Sequence, residues 1–228
     1  MKSFKRGTIH TLISTSLALI IASLANTAQA VDEAWKKATI ADAVQAAPPS
    51  VTDTASIYGW TSGGELVLAR YGSGSYVCIG SGSFSLRVGK PPLPYPDPMC
   101  LDQNAWAYIQ ALWSAKNPAK PERPYPTEPG LIWMLAGMNV SKSAVDIGAE
   151  SVSIVKESSG TSKTDVVQMT PHVMILPLPF NEKASAMTTA YALDDPLRAW
   201  IMAAGKPHEH LMVHFSAKDV SAMMKSGK

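Results

Sequence analysis

Much of what this sequence establishes comes from what it omits. Only two cysteines occur in its 228 residues, Cys78 and Cys100, and their spacing is not C-x-x-C, so neither a zinc-finger nor a thioredoxin-like motif is present. Lys and Arg never form a long run, which removes the usual signature of nucleic-acid binding. Glycine-rich turns occur, yet neither G-x-x-x-x-G-K-[ST] nor G-x-G-x-x-G is found, and hairpin turns account for them better than a phosphate loop. There is no G-x-S-x-G and no H-E-x-x-H, because His208-Glu209-His210 has the wrong spacing. Beyond residue 30 no apolar stretch is long enough to span a membrane. No internal repeat is present.

The start of the chain carries the three parts of a secretory signal. Lys2, Lys5 and Arg6 give a positive start, residues 12–24 are apolar apart from hydroxyl residues, and Ala28-Gln29-Ala30 is a small-x-small cleavage site. Cleavage after Ala30 is expected, leaving residues 31–228 in the periplasm or secreted. No cysteine follows the apolar run, which argues against a lipid anchor. Losing the three signal cations from 20 basic residues leaves 17 against 18 acidic ones, a net charge of −1 in place of +2. In an oxidising compartment Cys78 and Cys100 are expected to form a disulfide. It would close a loop of about 22 residues and contribute about 3 kcal/mol.

All four histidines after residue 30 lie within residues 170–215. Residues 208–215 alternate: His208, His210, Met212 and His214 on one face, Leu211, Val213 and Phe215 on the other, as in a half-buried strand. Gly205-Lys206-Pro207 supplies a turn just before it. Residues 172–178 alternate too, with His172, Met174 and Leu176 on one face, and Pro177 and Pro179 limit that segment to a short or edge strand. Pairing of the two segments would bring imidazoles and thioethers together, with Cβ atoms roughly 5 Å apart.

Elsewhere, residues 32–47 have helical spacing but a weak apolar face, which places that helix at the surface, and Pro48-Pro49 stops it. Residues 57–60, 65–71 and 76–79 are expected as a small meander of strands. Pro91-Pro92-Leu93-Pro94 opens a rigid extended connector, and residues 118–130 make a second. Residues 102–116 form a helix capped by Asp102, with Ala105, Trp106, Ile109, Leu112 and Trp113 as its core stripe. Residues 131–140 are expected as one buried strand, 141–170 as an exposed polar excursion around a strand-like piece at 152–156, and 198–203 as a strand that hairpins at Gly205. Residues 216–225 close the chain as a short helix or frayed tail. The expected fold is α+β: a signal peptide at 1–30, an N-terminal helix and linker at 31–50, and a single domain at 51–228 whose mostly antiparallel sheet carries two main helices.

Four separated pieces carry a resemblance. Asp97-Pro98-Met99-Cys100-x-Asp102 is followed by Gly130-x-x-x-Met134-Leu135-Ala136-Gly137 and by Pro171-His172-x-Met174. The last is Trp200-x-Met202-x-Ala204-Gly205-x-Pro207-x-x-His210-Leu211-Met212. In this order they resemble a group of exported bacterial proteins of unknown function, over roughly the second half of the chain. The resemblance implies a secreted or periplasmic bacterial protein and supplies no activity. It matches His172 and His210, while His208 and His214 depart from it.

The residues favour a non-catalytic exported domain whose histidines are structural, hydrogen-bonded and pinning a hairpin. One alternative is metal or small-ligand binding at His172, Met174, His210 and Met212, where imidazole and thioether donors suit copper, with zinc also considered. A second is a hydrolase-like enzyme using His172 or His210 as general base, oriented by Asp97, Asp102 or Asp146. No substrate or protein partner is specified by the sequence.

Overall fold

The computed structural model of the protein describes residues 31–155 and 162–226. The expected signal segment with its cleavage site, and Lys156 at the end of the strand-like piece, lie outside them. Within these limits the fold is α+β, one compact unit built on an eight-stranded, mostly antiparallel sheet with a small second sheet.

The chain opens with helix α1 (Glu33–Ala43), capped by the Asp32 carboxylate, which accepts the Trp35 N–H at 2.7 Å. A 3-10 turn (Val44–Ala46) leads to the short helix α2 (Pro49–Thr52), where Pro49 sits in the first turn and so starts a helix after Pro48. Strands β1 (Ser56–Trp60), β2 (Leu66–Arg70), β3 (Val77–Ile79) and β4 (Met99–Leu101) follow, then helix α3 (Gln103–Ser114). Strands β5 (Gly130–Met134) and β6 (Met138–Ser141), helix α4 (Lys142–Asp146), and strands β7 (Val166–Met169) and β8 (His172–Leu176) come next. Helix α5 (Glu182–Ser185), strands β9 (Trp200–Met202) and β10 (His210–His214) and helix α6 (Ala217–Lys225) complete the chain.

The large sheet has the order β2-β1-β3-β4-β5-β8-β10-β9, and β6 pairs with β7 in the small one. Two helices lie directly on opposite faces of the large sheet. A Cβ on Gly59 of β1 would come within 2.4 Å of Thr39 on α1, and one on Gly130 of β5 within 2.1 Å of the Ala105 nitrogen on α3. Glycine is what permits either approach.

Several expectations are corrected. The first three strands are no meander, because β3 returns on the far side of β1 and pairs with it in parallel. Gly72 and Gly74 carry the chain tightly past Thr54 and Ala55, and the Gly74 N–H donates to the Thr54 carbonyl at 2.7 Å. The α1 segment is not merely a surface element. Ala43, Ala46 and Ala47 are buried against Ile57, Cys78 and Cys100. A face built of alanine has little hydrophobic contrast, which is why the pattern looked weak. Residues 131–140 split into β5 and β6 in different sheets, turned by Gly137 at φ +87°. The described parts of the next stretch, residues 141–155 and 162–170, are no exposed excursion: β7 pairs with β6, and Val145, Val152 and Val155 are buried. Strand β8 lies in the sheet interior, between β5 and β10, because Pro177 comes just after its last residue and costs the ladder nothing.

Cys78 and Cys100 are bonded, facing each other across β3 and β4.

Candidate functional site

The two histidine-bearing segments do pair. Strands β8 and β10 run antiparallel with His172 opposite His214 and Met174 opposite Met212. His210 lies instead opposite Met202 of β9. His172 and His210 therefore stand four residues apart in register, about 14 Å along the strand. The sheet brings together His172 with His214, and His210 with Met202, but not His172 with His210 as neighbours.

His214 is satisfied on both nitrogens. The Trp200 indole donates to Nε2 at 2.9 Å, so that nitrogen carries a lone pair. Nδ1 then carries the proton and donates to the Thr170 hydroxyl at 2.8 Å, which in turn donates to the Pro196 carbonyl at 3.0 Å. The relay Trp200–His214–Thr170–Pro196 fixes the tautomer and leaves no nitrogen for a metal. The His172 ring lies 5.2 Å from that of His214, and its Nδ1–H donates to the Thr170 carbonyl at 2.7 Å. Its Nε2 is buried without a hydrogen-bond partner.

His210 sits at the other end. Its Nδ1–H donates to the His208 carbonyl at 2.7 Å, and its Nε2, a lone pair, is buried without a partner. Burial pushes all three imidazoles down: His172 to about 3, with His214 beside it adding to the effect, and His210 and His214 each to about 4. All three are neutral at pH 7.

His210 forms part of the wall of an interior cavity of about 80 Å³. Met99, Met138, Met174 and Met202 line it, together with Ile109 and Trp113 of α3. Outside it lies a cleft of about 320 Å³, bounded by residues 151–154, Ala203 and Lys206. Ile154, Met202, His208 and His210 line both spaces. The turn that presents His210 is held from two sides. The Gly205 N–H donates to the Glu209 carboxylate at 2.9 Å, and the Tyr108 hydroxyl of α3 donates to the Pro207 carbonyl. Burial, with Tyr125 and Glu209 nearby, pushes the Tyr108 phenol up to about 12, so it stays a donor.

Of the expected site residues, Met174 and His210 line the cavity. Met212 is buried between Met174 and Trp200 in the ladder. None of the aspartates proposed as orienting groups bonds to His172 or His210, whose Nδ1 atoms both face backbone carbonyls. Asp102 caps α3 and accepts the Leu131 N–H. Asp97 is buried in a different place, where it accepts the Gly82 N–H at 2.9 Å, and burial pushes its carboxyl up to about 6. Among the described residues no group of three or more His, Cys, Asp or Glu is placed to hold a metal ion. Sequence reasoning missed Thr170, Trp200, Met99, Met138 and Met202. The available signal was the match of Met99 to one resemblance piece and of Trp200 and Met202 to another.

Compared with protein-family models, curated proteins and solved structures, the chain matches none.

Proposed function

We propose that the protein is an exported, non-catalytic domain that binds a small, mostly apolar molecule carrying one hydrogen-bond donor. The signal-like start, the resemblance pieces and the disulfide support export. The observation that carries the binding reading is the buried, unpartnered Nε2 of His210, a residue that lines both the cavity and the cleft. A buried acceptor without a partner costs about 1–3 kcal/mol, and a ligand donor placed there recovers it. The inner cavity is smaller than the roughly 150 Å³ that holds benzene in an engineered case. The ligand therefore places a short apolar tail inside and its polar end in the cleft. Neutral His210 offers a lone pair, which selects a hydroxyl or N–H over a carboxylate. His172 and His214 serve structure in this reading.

The test compares 1-hexanol with its isomer methyl pentyl ether, which has no donor, by chemical-shift titration. Hexanol should bind about fivefold tighter, and the preference should vanish in His210→Leu. Equal affinities for the wild type would overturn the reading.

A second reading is favoured by one observation, the direct pairing of His210 with Met202 beside three other methionines. Imidazole with thioethers is a soft donor set that suits Cu(I). Stoichiometric Cu(I) uptake that His210→Leu abolishes would put copper ahead. Absence of uptake would remove it.

A further inference from the structure

On the far side of α3 lies a separate surface cleft of about 400 Å³, within the size range of small-molecule sites. Three of the six tryptophans form its base: Trp60 from the end of β1, and Trp106 and Trp113 from α3. The Trp113 ring meets the edges of the other two at centroid distances of 5.5 and 6.2 Å. Trp60 is buried, with its indole N–H donating to the Ser83 hydroxyl at 3.0 Å. Trp106 and Trp113 are half-buried, so part of each indole stays open to the cleft. A core stripe would hide these rings, and this helix leaves two of them showing.

The rim is basic. Arg87 holds its guanidinium carbon 5.2 Å from the Trp113 ring centroid and donates its Nε–H to the Ser83 carbonyl at 2.9 Å. Arg123 enters from the second proline-rich connector, and Gln110 lies between the two tryptophans on α3. No acidic residue lines the cleft, and among the described residues neither arginine makes an ion pair. Burial pushes the Arg87 guanidinium pKa below its ordinary value, as for a charge taken partly out of water. A half-buried guanidinium with unused N–H groups is a fork without its anion.

We infer that this cleft binds a small cyclic carboxylate, with its ring against Trp106 and Trp113 and its carboxylate between Arg87 and Arg123. Indole faces accept either an aromatic ring or the apolar face of a sugar ring. The shared chemistry is a carboxylate fixed to a ring, as in an aromatic acid or a uronic sugar. The site is independent of the His210 cavity, although Trp113 forms part of both walls.

The experiment is isothermal titration of the full mature chain with two acids, indole-3-acetate and a glucuronate disaccharide, each beside its neutral counterpart, indole-3-acetamide and cellobiose. Binding of one acid without its neutral counterpart is expected, and which acid binds identifies the source. Affinity should fall at least about tenfold in Arg123→Gln, an exposed substitution that leaves the core untouched, and also in Arg87→Lys, which keeps charge but loses the fork. His210→Leu should leave it unchanged, so failure of the inner-cavity reading and failure of this one are separable. Absence of binding of both acids at millimolar concentration, or equal binding of acid and neutral forms, would overturn the inference. So would unchanged affinity in Arg123→Gln and Arg87→Lys.

Discussion

The two ends of strand β10 carry the same residue on the same face, and they differ in what satisfies the second ring nitrogen. His214 and His210 are both buried, both held neutral and both pinned through Nδ1. At His214 the second nitrogen takes the Trp200 indole N–H, and the hydrogen bonding closes on itself. At His210, which lines the cavity, the second nitrogen is buried without a partner. A closed network rigidifies the sheet. A buried lone pair without a partner leaves its desolvation cost uncompensated.

Acid should break this comparison with the largest effect. An imidazole whose folded pKa lies below its unfolded value near 6.5 contributes stability that is complete above pH 6.5. That contribution is lost as pH falls toward about 4 for His210 and His214 and about 3 for His172. Each shift is worth on the order of 3 kcal/mol, so denaturant midpoints measured from pH 7 to pH 4 should fall steeply. Asp97 works in the opposite direction. Its folded pKa near 6 lies above the unfolded value of 3.8, so its contribution is present below pH 4 and lost as pH rises through 6. The same titration in Asp97→Asn should steepen the acid slope. A flat profile between pH 6.5 and 4 in that variant would show that the histidines are not held neutral.

Next in size, His214→Ala should cost about 3 kcal/mol by urea denaturation, since it leaves Trp200 and Thr170 without their partner in a buried site. Trp200→Phe removes the indole donor and also leaves a void at a fully buried side chain, so it should cost at least as much. If His214→Ala were neutral, the closed network would not be structural.

The smallest effect sharpens the contrast. His210→Leu removes an unpartnered acceptor and adds apolar surface to an apolar wall, while the His208 carbonyl loses its donor. These terms offset, and stability should change by less than about 1 kcal/mol. A loss equal to that of His214→Ala would make the two ends equivalent and remove the basis for a ligand at His210.

How much of this was legible in the sequence depends on the range of the interaction. Asp32 and Asp102 as helix caps, the alternation at β8 and β10, and the turn at Gly205 are local, set within a few residues by backbone geometry and side-chain period. The Cys78–Cys100 bond followed from there being only two thiols. The candidate site was half legible. The histidine face was visible, but its register was not. A shift of two residues in β8 against β10 keeps every side chain on its face and changes which imidazoles meet.

The α+β class, the two principal helices, the disulfide and the strand face that carries the histidines could all be read along the chain. These depend on period, capping and composition. Packing between distant segments set the rest: β3 runs parallel beside β1, β5 and β6 part into two sheets, and His214 meets Trp200 while His210 lines a cavity. Strand order and void are set by how distant segments pack together, and residues that meet across 14 or more positions leave no periodic trace along the chain.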